Sequence, residues 1–160
     1  MRRLLLALML TAVLPVPAAA DFADGLGAFD AGDYATAIAE WAPLAEQGDV
    51  DALVALAGLH RQGLGTRADL GKAISLYRRA ALQGAPIAQV NLGDFYARGS
   101  GVERDLVQAH MWLRIAARRG QAWATARLGQ ISPAMTRAEL AEAARLAELW
   151  RPAVGGLKPR

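Results

Sequence analysis

Gly48, Gly84 and Gly120 stand 36 residues apart, and the chain compared with itself at that offset is identical in three copies at seven positions. Those positions are Gly27/Gly63/Gly99, Asp33/Asp69/Asp105, Ala37/Ala73/Ala109, Ala45/Ala81/Ala117, Gly48/Gly84/Gly120, Ala52/Ala88/Ala124 and Leu56/Leu92/Leu128. Chance would supply roughly one such position or fewer over thirty residues, even in an alanine-rich chain. A repeat this short cannot bury its own apolar face, so successive units must stack on one another.

The shared residues have helical roles. Asp33, Asp69 and Asp105 stand where a helix should begin, because their carboxylates can accept hydrogen bonds from free first-turn N–H groups. Gly48, Gly84 and Gly120 stand where that helix should end, since glycine adopts the left-handed conformation cheaply. Pro86 suits the first turn of the following helix. Gly63 and Gly99 should close such a helix and open the loops Gly63-Leu64-Gly65 and Gly99-Ser100-Gly101. The alanines allow close approach of helices, and Leu56, Leu92 and Leu128 fill the space between them. Ten aromatic residues in 160 also favour packed helices over a β-sandwich.

The expected fold is therefore all-α: a right-handed α-α solenoid of about three 36-residue helix-turn-helix repeats with a C-terminal capping helix. Helices are expected over residues 22–31, 33–47, 50–62, 69–83, 86–98, 105–119 and 122–131. The segment Thr136 to Trp150 opens with a Thr136-x-x-Glu139 capping box. Its apolar positions Leu140, Ala144, Ala147 and Trp150 are spaced for one buried face, as a helix closing the array requires. The repeats thus occupy 21–131, the closing helix 132–151, and a loose tail 152–160.

Residues 1–20 have a different pattern. Arg2 and Arg3 precede an apolar run from Leu4 to Leu14, followed by Pro15, Pro17 and the small residues Ala18 to Ala20. This is the pattern of a secretory signal peptide cut between Ala20 and Asp21. The apolar run is about half the roughly twenty residues that span a bilayer. A periplasmic or secreted location is expected, with no stable membrane span after cleavage. Cleavage would leave 16 basic against 15 acidic residues, a net charge of +1. A nucleic-acid surface needs a concentrated basic face, and these arginines are scattered among acids, so no nucleic-acid partner is expected.

The run Gly63-Leu64-Gly65…Asp69-x-x-Lys72-Ala73…Leu76-Tyr77…Ala80-Ala81-x-x-Gly84…Ala88…Asn91-Leu92-Gly93-x-x-Tyr96-x-x-Gly99-x-Gly101-Val102…Asp105 resembles the Sel1-like repeat, a relative of the tetratricopeptide repeat. Trp112 and Ala116-Ala117-x-x-Gly120 continue the resemblance, which extends over about residues 22–131. The first unit departs from it, with Asp30-Ala31-Gly32-Asp33-Tyr34 in the tetratricopeptide style, and the third breaks off at Ile131-Ser132-Pro133. The resemblance implies an adaptor scaffold that binds a protein or peptide. One secreted subgroup of the family is described as binding or hydrolysing penicillin-like compounds, which implies the alternative of a cell-wall- or β-lactam-directed binder or weak hydrolase. That subgroup is rich in disulfides, and this chain has no cysteine.

No catalytic set emerges from the residues. His60 and His110 have no partners at the spacing of a metal centre or triad. His110 occupies the repeat position of Ile38 and Ile74, a packing position. Ser100 lies in Gly-Ser-Gly without a nucleophile-elbow context, and acids are spread singly. No catalytic residue, no metal and no cofactor are expected. Trp41 and Trp112 fall on or beside the family's aromatic core position, and Trp150 on the closing helix is also expected to be buried.

The candidate binding surface follows from helix periodicity. In Pro86 to Arg98 the packing residues should be Ala88, Leu92, Gly93 and Tyr96. The opposite stripe is Ile87, Asn91, Asp94 and Arg98, spaced along one helix face. The same repeat positions hold Asp51, Ala55, Gly58 and Gln62 in the preceding helix, and Trp123, Arg127 and Gln130 in the following one. In tetratricopeptide-type solenoids these helices line the concave surface, so Ile87, Asn91, Asp94, Arg98, Trp123 and Arg127 are the expected partner-binding residues. Tryptophan and arginine are the residue types that most often anchor interfaces. The occupant is expected to be an unidentified protein or peptide, of which a cell-envelope component is one candidate.

Overall fold

The computed structural model describes residues 21–153, and the expected signal peptide and the end of the expected tail lie outside them. Eight α-helices follow one another: α1 (Phe22–Asp30), α2 (Tyr34–Glu46), α3 (Val50–Gln62), α4 (Leu70–Leu82), α5 (Pro86–Arg98), α6 (Leu106–Ala117), α7 (Ala122–Ile131) and α8 (Arg137–Leu149). A 3-10 turn, Ser132–Ala134, joins the last two. The described residues contain no strand, and the array is an all-α solenoid.

The repeated aspartates are the caps that the sequence implies. Asp33, Asp69 and Asp105 accept from the backbone N–H of Thr36, Lys72 and Gln108 at 3.1, 2.9 and 2.9 Å. Asp49 and Asp21 do the same for α3 and α1, two further starts outside the threefold identity. Thr36 also donates its hydroxyl to Asp33, which holds that carboxyl below the usual range. Each such cap contributes about 1 kcal/mol. At the other ends, Gly63 and Gly99 terminate α3 and α5 in the left-handed conformation, at φ 71° and 67°. Their loops close identically: Asp69 N–H donates to the His60 carbonyl and Asp105 N–H to that of Tyr96. Gly27, in register with these two glycines, lies inside α1 instead, so the first unit has a different turn.

Stacking alternates along the chain. α3 packs on α4 and α5 on α6 within units, and α4 on α5 and α6 on α7 between them. Leu53, Leu59, Leu92 and Leu113 are fully buried along this line, and truncating any of them to alanine should cost about 2–5 kcal/mol. Polar ties repeat as well. The Gln83 side chain donates to the Gly48 carbonyl at 3.0 Å, and Arg119 donates to that of Gly84 one unit later. Trp41 and Trp112 are core residues, and Trp41 also donates to the Phe22 carbonyl at 3.0 Å.

The C-terminal end departs from the pattern. α8 starts with the expected capping box, in which Thr136 and Glu139 bond reciprocally. It packs along α6 rather than on α7. Its fully buried residues are Ala143 and Ala147, so the expected face is rotated: Leu140, Ala144 and Trp150 sit at its half-buried edges. Trp150 meets Trp112 edge to face at 6.2 Å, with the Arg119 guanidinium 5.7 Å from its ring. Ala153 N–H reaches the Leu82 carbonyl at 2.8 Å, so the chain remains attached as far as the second residue of the expected loose tail. α7 is left without a helix of its own. Its Thr125, Ala126 and Gly129 are exposed, whereas the equivalent Gln89 and Gly93 of α5 are buried.

Candidate functional site

The six residues expected on the concave face lie on α5 and α7, and five of them converge. Asn91, Asp94, Arg98, Trp123 and Arg127 line one cleft of about 240 Å³, together with Arg61 and Val90. Ile87 stands one turn before Asn91, 58% exposed, and Trp123 is 67% exposed. Neither packs into a neighbouring helix, an arrangement that the repeat positions alone leave open. A second depression of about 240 Å³ shares Arg61, Asn91, Asp94 and Arg98 and extends to Leu70, Phe95 and Ser100.

The polar groups of the cleft form two cross-helix ties, one between α5 and α7 and one between α3 and α5. Asp94 is the centre of the first: one carboxylate oxygen takes the Arg127 Nε at 2.8 Å and the other the Arg98 Nε at 2.8 Å. Arg127 also donates to Gln130 at 2.7 Å. Asn91 accepts from Arg61 at 2.8 Å and donates back to the Ile87 carbonyl at 2.9 Å. These bonds orient three guanidiniums from three helices, α3, α5 and α7, toward one surface. Arg61 is outside the sequence-derived stripe, one residue before Gln62. Its signal would have been an arginine in the last turn of α3, the repeat equivalent of α5, but the contact spans 30 residues and depends on how the helices are inclined.

Two details of α5 differ from the sequence reading. Tyr96 is only half-buried, with its hydroxyl accepting from Arg78 at 2.9 Å. Gln89 and Phe95 are buried in addition to Ala88, Leu92 and Gly93. Gln89 is tolerated there because its side-chain amide donates to the Ala81 carbonyl at 3.2 Å.

The histidines sit apart from the cleft. Both are buried, and burial pushes each below its ordinary value; Lys72 adds to this at His60 and Arg114 at His110. Asp69 opposes the shift at His60. His110 is as buried as Ile74, its equivalent in the preceding repeat. Ser100 lines the second depression beside Arg61 and Arg98, and neither histidine lines it. Among the described residues no group of three or more His, Asp or Glu is placed to hold a metal ion.

Comparison with known proteins gives a consistent picture. The Sel1 repeat family matches residues 50–84 and 86–121, which are α3–α4 and α5–α6 with their flanking glycines. Among solved structures, the chain resembles a protective antigen present in uropathogenic Escherichia coli strains that displays an SLR fold, with a TM-score of 0.75 and 30% identity. That alignment takes in 79% of this chain and 28% of the antigen. A Sel1 repeat protein from Oxalobacter formigenes gives a TM-score of 0.67 at 27% identity, over 79% of this chain and 54% of that one. The chain therefore spans about a quarter of the first and about half of the second. No curated protein matches it.

Proposed function

This is a Sel1-like repeat protein, and from that premise we propose that it is an exported, non-catalytic adaptor that holds a protein or peptide on its concave face. Sel1 repeats suggest protein–protein interaction as the task. The observation that carries the reading to a surface is the cleft of Asn91, Asp94, Arg98, Trp123 and Arg127, whose tryptophan is two-thirds exposed. A large indole left in water beside oriented guanidiniums is the combination that interfaces enrich.

Export rests on the charged, apolar and small-residue zones of residues 1–20 and puts the partner in the periplasm or outside the cell. A cell-envelope protein is the partner class favoured there. No helix among the described residues is long and apolar enough to cross a membrane.

The test is capture from envelope extract with the tagged chain, against a second bait carrying Ile87→Ala and Trp123→Ala. Both side chains are exposed, so the variant should keep its helicity and melting temperature within about 0.5 kcal/mol of stability per site. A protein held by the first bait and lost by the second supports the adaptor and its groove. Equal capture by both moves the interface to another face. Turnover of a chromogenic β-lactam by the purified chain would overturn the non-catalytic reading in favour of the cell-wall-directed alternative.

A further inference from the structure

We infer that the segment held in this groove is an acidic linear peptide that carries a large apolar side chain about three to five residues from its carboxylates. The inference rests on the adaptor reading and narrows it to one ligand chemistry.

Charge is the first argument. The two depressions are lined by Arg61, Arg98 and Arg127 against a single acid, Asp94. Asp94 is shared between Arg98 and Arg127, while among the described residues Arg61 is held only by the neutral amide of Asn91. Arginines in a last helical turn offset the helix dipole, which amounts to about half a charge per helix end. Arg61 and Arg98 stand in that turn of α3 and α5, so part of their charge is left over for a ligand. Asp51, the other acid on this face, lies ten residues before Arg61 on α3, about 15 Å away at the helical rise. Guanidinium forks bind carboxylates bidentately, and Arg61 and Arg127, held by cross-helix bonds, and Arg98, held by Asp94 on its own helix, lose little freedom in doing so.

Spacing is the second argument. The apolar residues Ile87 and Trp123 occupy matching positions one unit apart, at the opposite end of the groove from Arg98. Seven residues separate Ile87 from Asp94 and eleven separate it from Arg98. At the helical rise these are about 10 and 16 Å. An extended peptide covers such distances in about three to five residues. Ile87, Trp123 and Val90 together favour an apolar peptide side chain at that end, and aliphatic contact of this kind does little for a sugar or phosphate backbone.

The test is selection from a displayed library of random twelve-residue peptides on the full chain. The selections are repeated on Arg61→Gln/Arg98→Gln and on Ile87→Ala/Trp123→Ala. The expected pool is rich in Asp and Glu, with Leu, Phe or Trp three to five positions away. A peptide from it should bind Arg61→Gln/Arg98→Gln roughly five- to thirtyfold more weakly at unchanged melting temperature, and raised salt should weaken wild-type binding. A pool that is neutral or basic, yet is lost by the Ile87→Ala/Trp123→Ala variant, overturns the acidic ligand and leaves the adaptor reading standing. An acidic pool that neither variant weakens overturns the inference for this groove and moves the site to another face, and no selected pool at all overturns both.

Discussion

Gly93 and Gly129 occupy the same repeat position on α5 and α7, and the structure predicts opposite outcomes when each is replaced by alanine. A Cβ on Gly93 would lie 2.7 Å from the Leu113 Cγ and 3.2 Å from the Ala109 carbonyl oxygen, both on α6. Neither atom is the free end of a flexible chain, so the two helices must separate. On Gly129 a Cβ meets nothing within 4 Å, because α8 packs along α6 and leaves that side of α7 open. Both substitutions gain helix propensity, about 0.8–1 kcal/mol. Only Gly93→Ala incurs overpacking, typically about 1–3 kcal/mol. Gly129→Ala should therefore stabilise by somewhat under about 1 kcal/mol, and Gly93→Ala should destabilise by up to about 2 kcal/mol. The gap equals the overpacking term alone, which would separate the two midpoints by about 3–10 °C in a thermal melt. Urea denaturation followed by circular dichroism reads both free energies. Equal changes, of either sign, would refute the claim that α7 lacks the helix that α5 has.

Three further outcomes follow from local contacts. Asp69→Ala and Asp105→Ala should each cost about 1 kcal/mol in urea denaturation and should add in the double variant, since they cap different helices; strong non-additivity would mean that the caps are coupled. Gly65→Ala should cost about 2–4 kcal/mol, because φ is +68° there and a Cβ would sit 2.6 Å from the Tyr34 carbonyl carbon; a loss below about 1 kcal/mol in the same assay would deny the loop its contact with α2. His110 is buried with its Nδ1 unpartnered among the described residues, and its affinity for a proton is lowered from the ordinary value of 6.5. The unfolded chain then takes up that proton more readily, so His110's contribution, full above about pH 6.5, is lost as pH falls through that value toward the lower folded one. His110→Ile, the residue found at positions 38 and 74, should make the decline in melting temperature between about pH 7.5 and pH 5 shallower, and an unchanged slope would contradict the burial argument.

Much of this architecture was legible because the repeat imposes one environment on three copies. Asp33, Asp69 and Asp105 recur at helix starts, and the turn chemistry at Gly63 and Gly99 is local, so both could be read without knowing the packing. What varied between copies was harder. Gln89 and Phe95 stand at positions that differ in each unit, and their burial depends on the rotation of α5, which the threefold identities constrain only loosely. α8 has no repeat equivalent. Its capping box fixed where it begins, but its docking on α6 depends on the Ser132–Ala134 turn and on contacts such as Arg118 with Glu148. The cleft was recoverable as far as one stripe per helix. Arg61 escaped because joining stripes into a surface needs the inclination between helices, which no spacing within one helix contains.

Function in this array depends on which face of the solenoid meets a partner. The most direct test is site-specific photocrosslinking in the native host, with a benzophenone side chain in place of Trp123 or, as the comparison, in place of Arg145 on α8. Both positions are exposed, one on the concave cleft and the other on the helix that covers α6. The account predicts a discrete adduct from position 123 that disappears when Arg61 and Arg98 are changed to glutamine, and none from position 145. An adduct from position 145 alone would place the working surface on the other side of the array and contradict the groove.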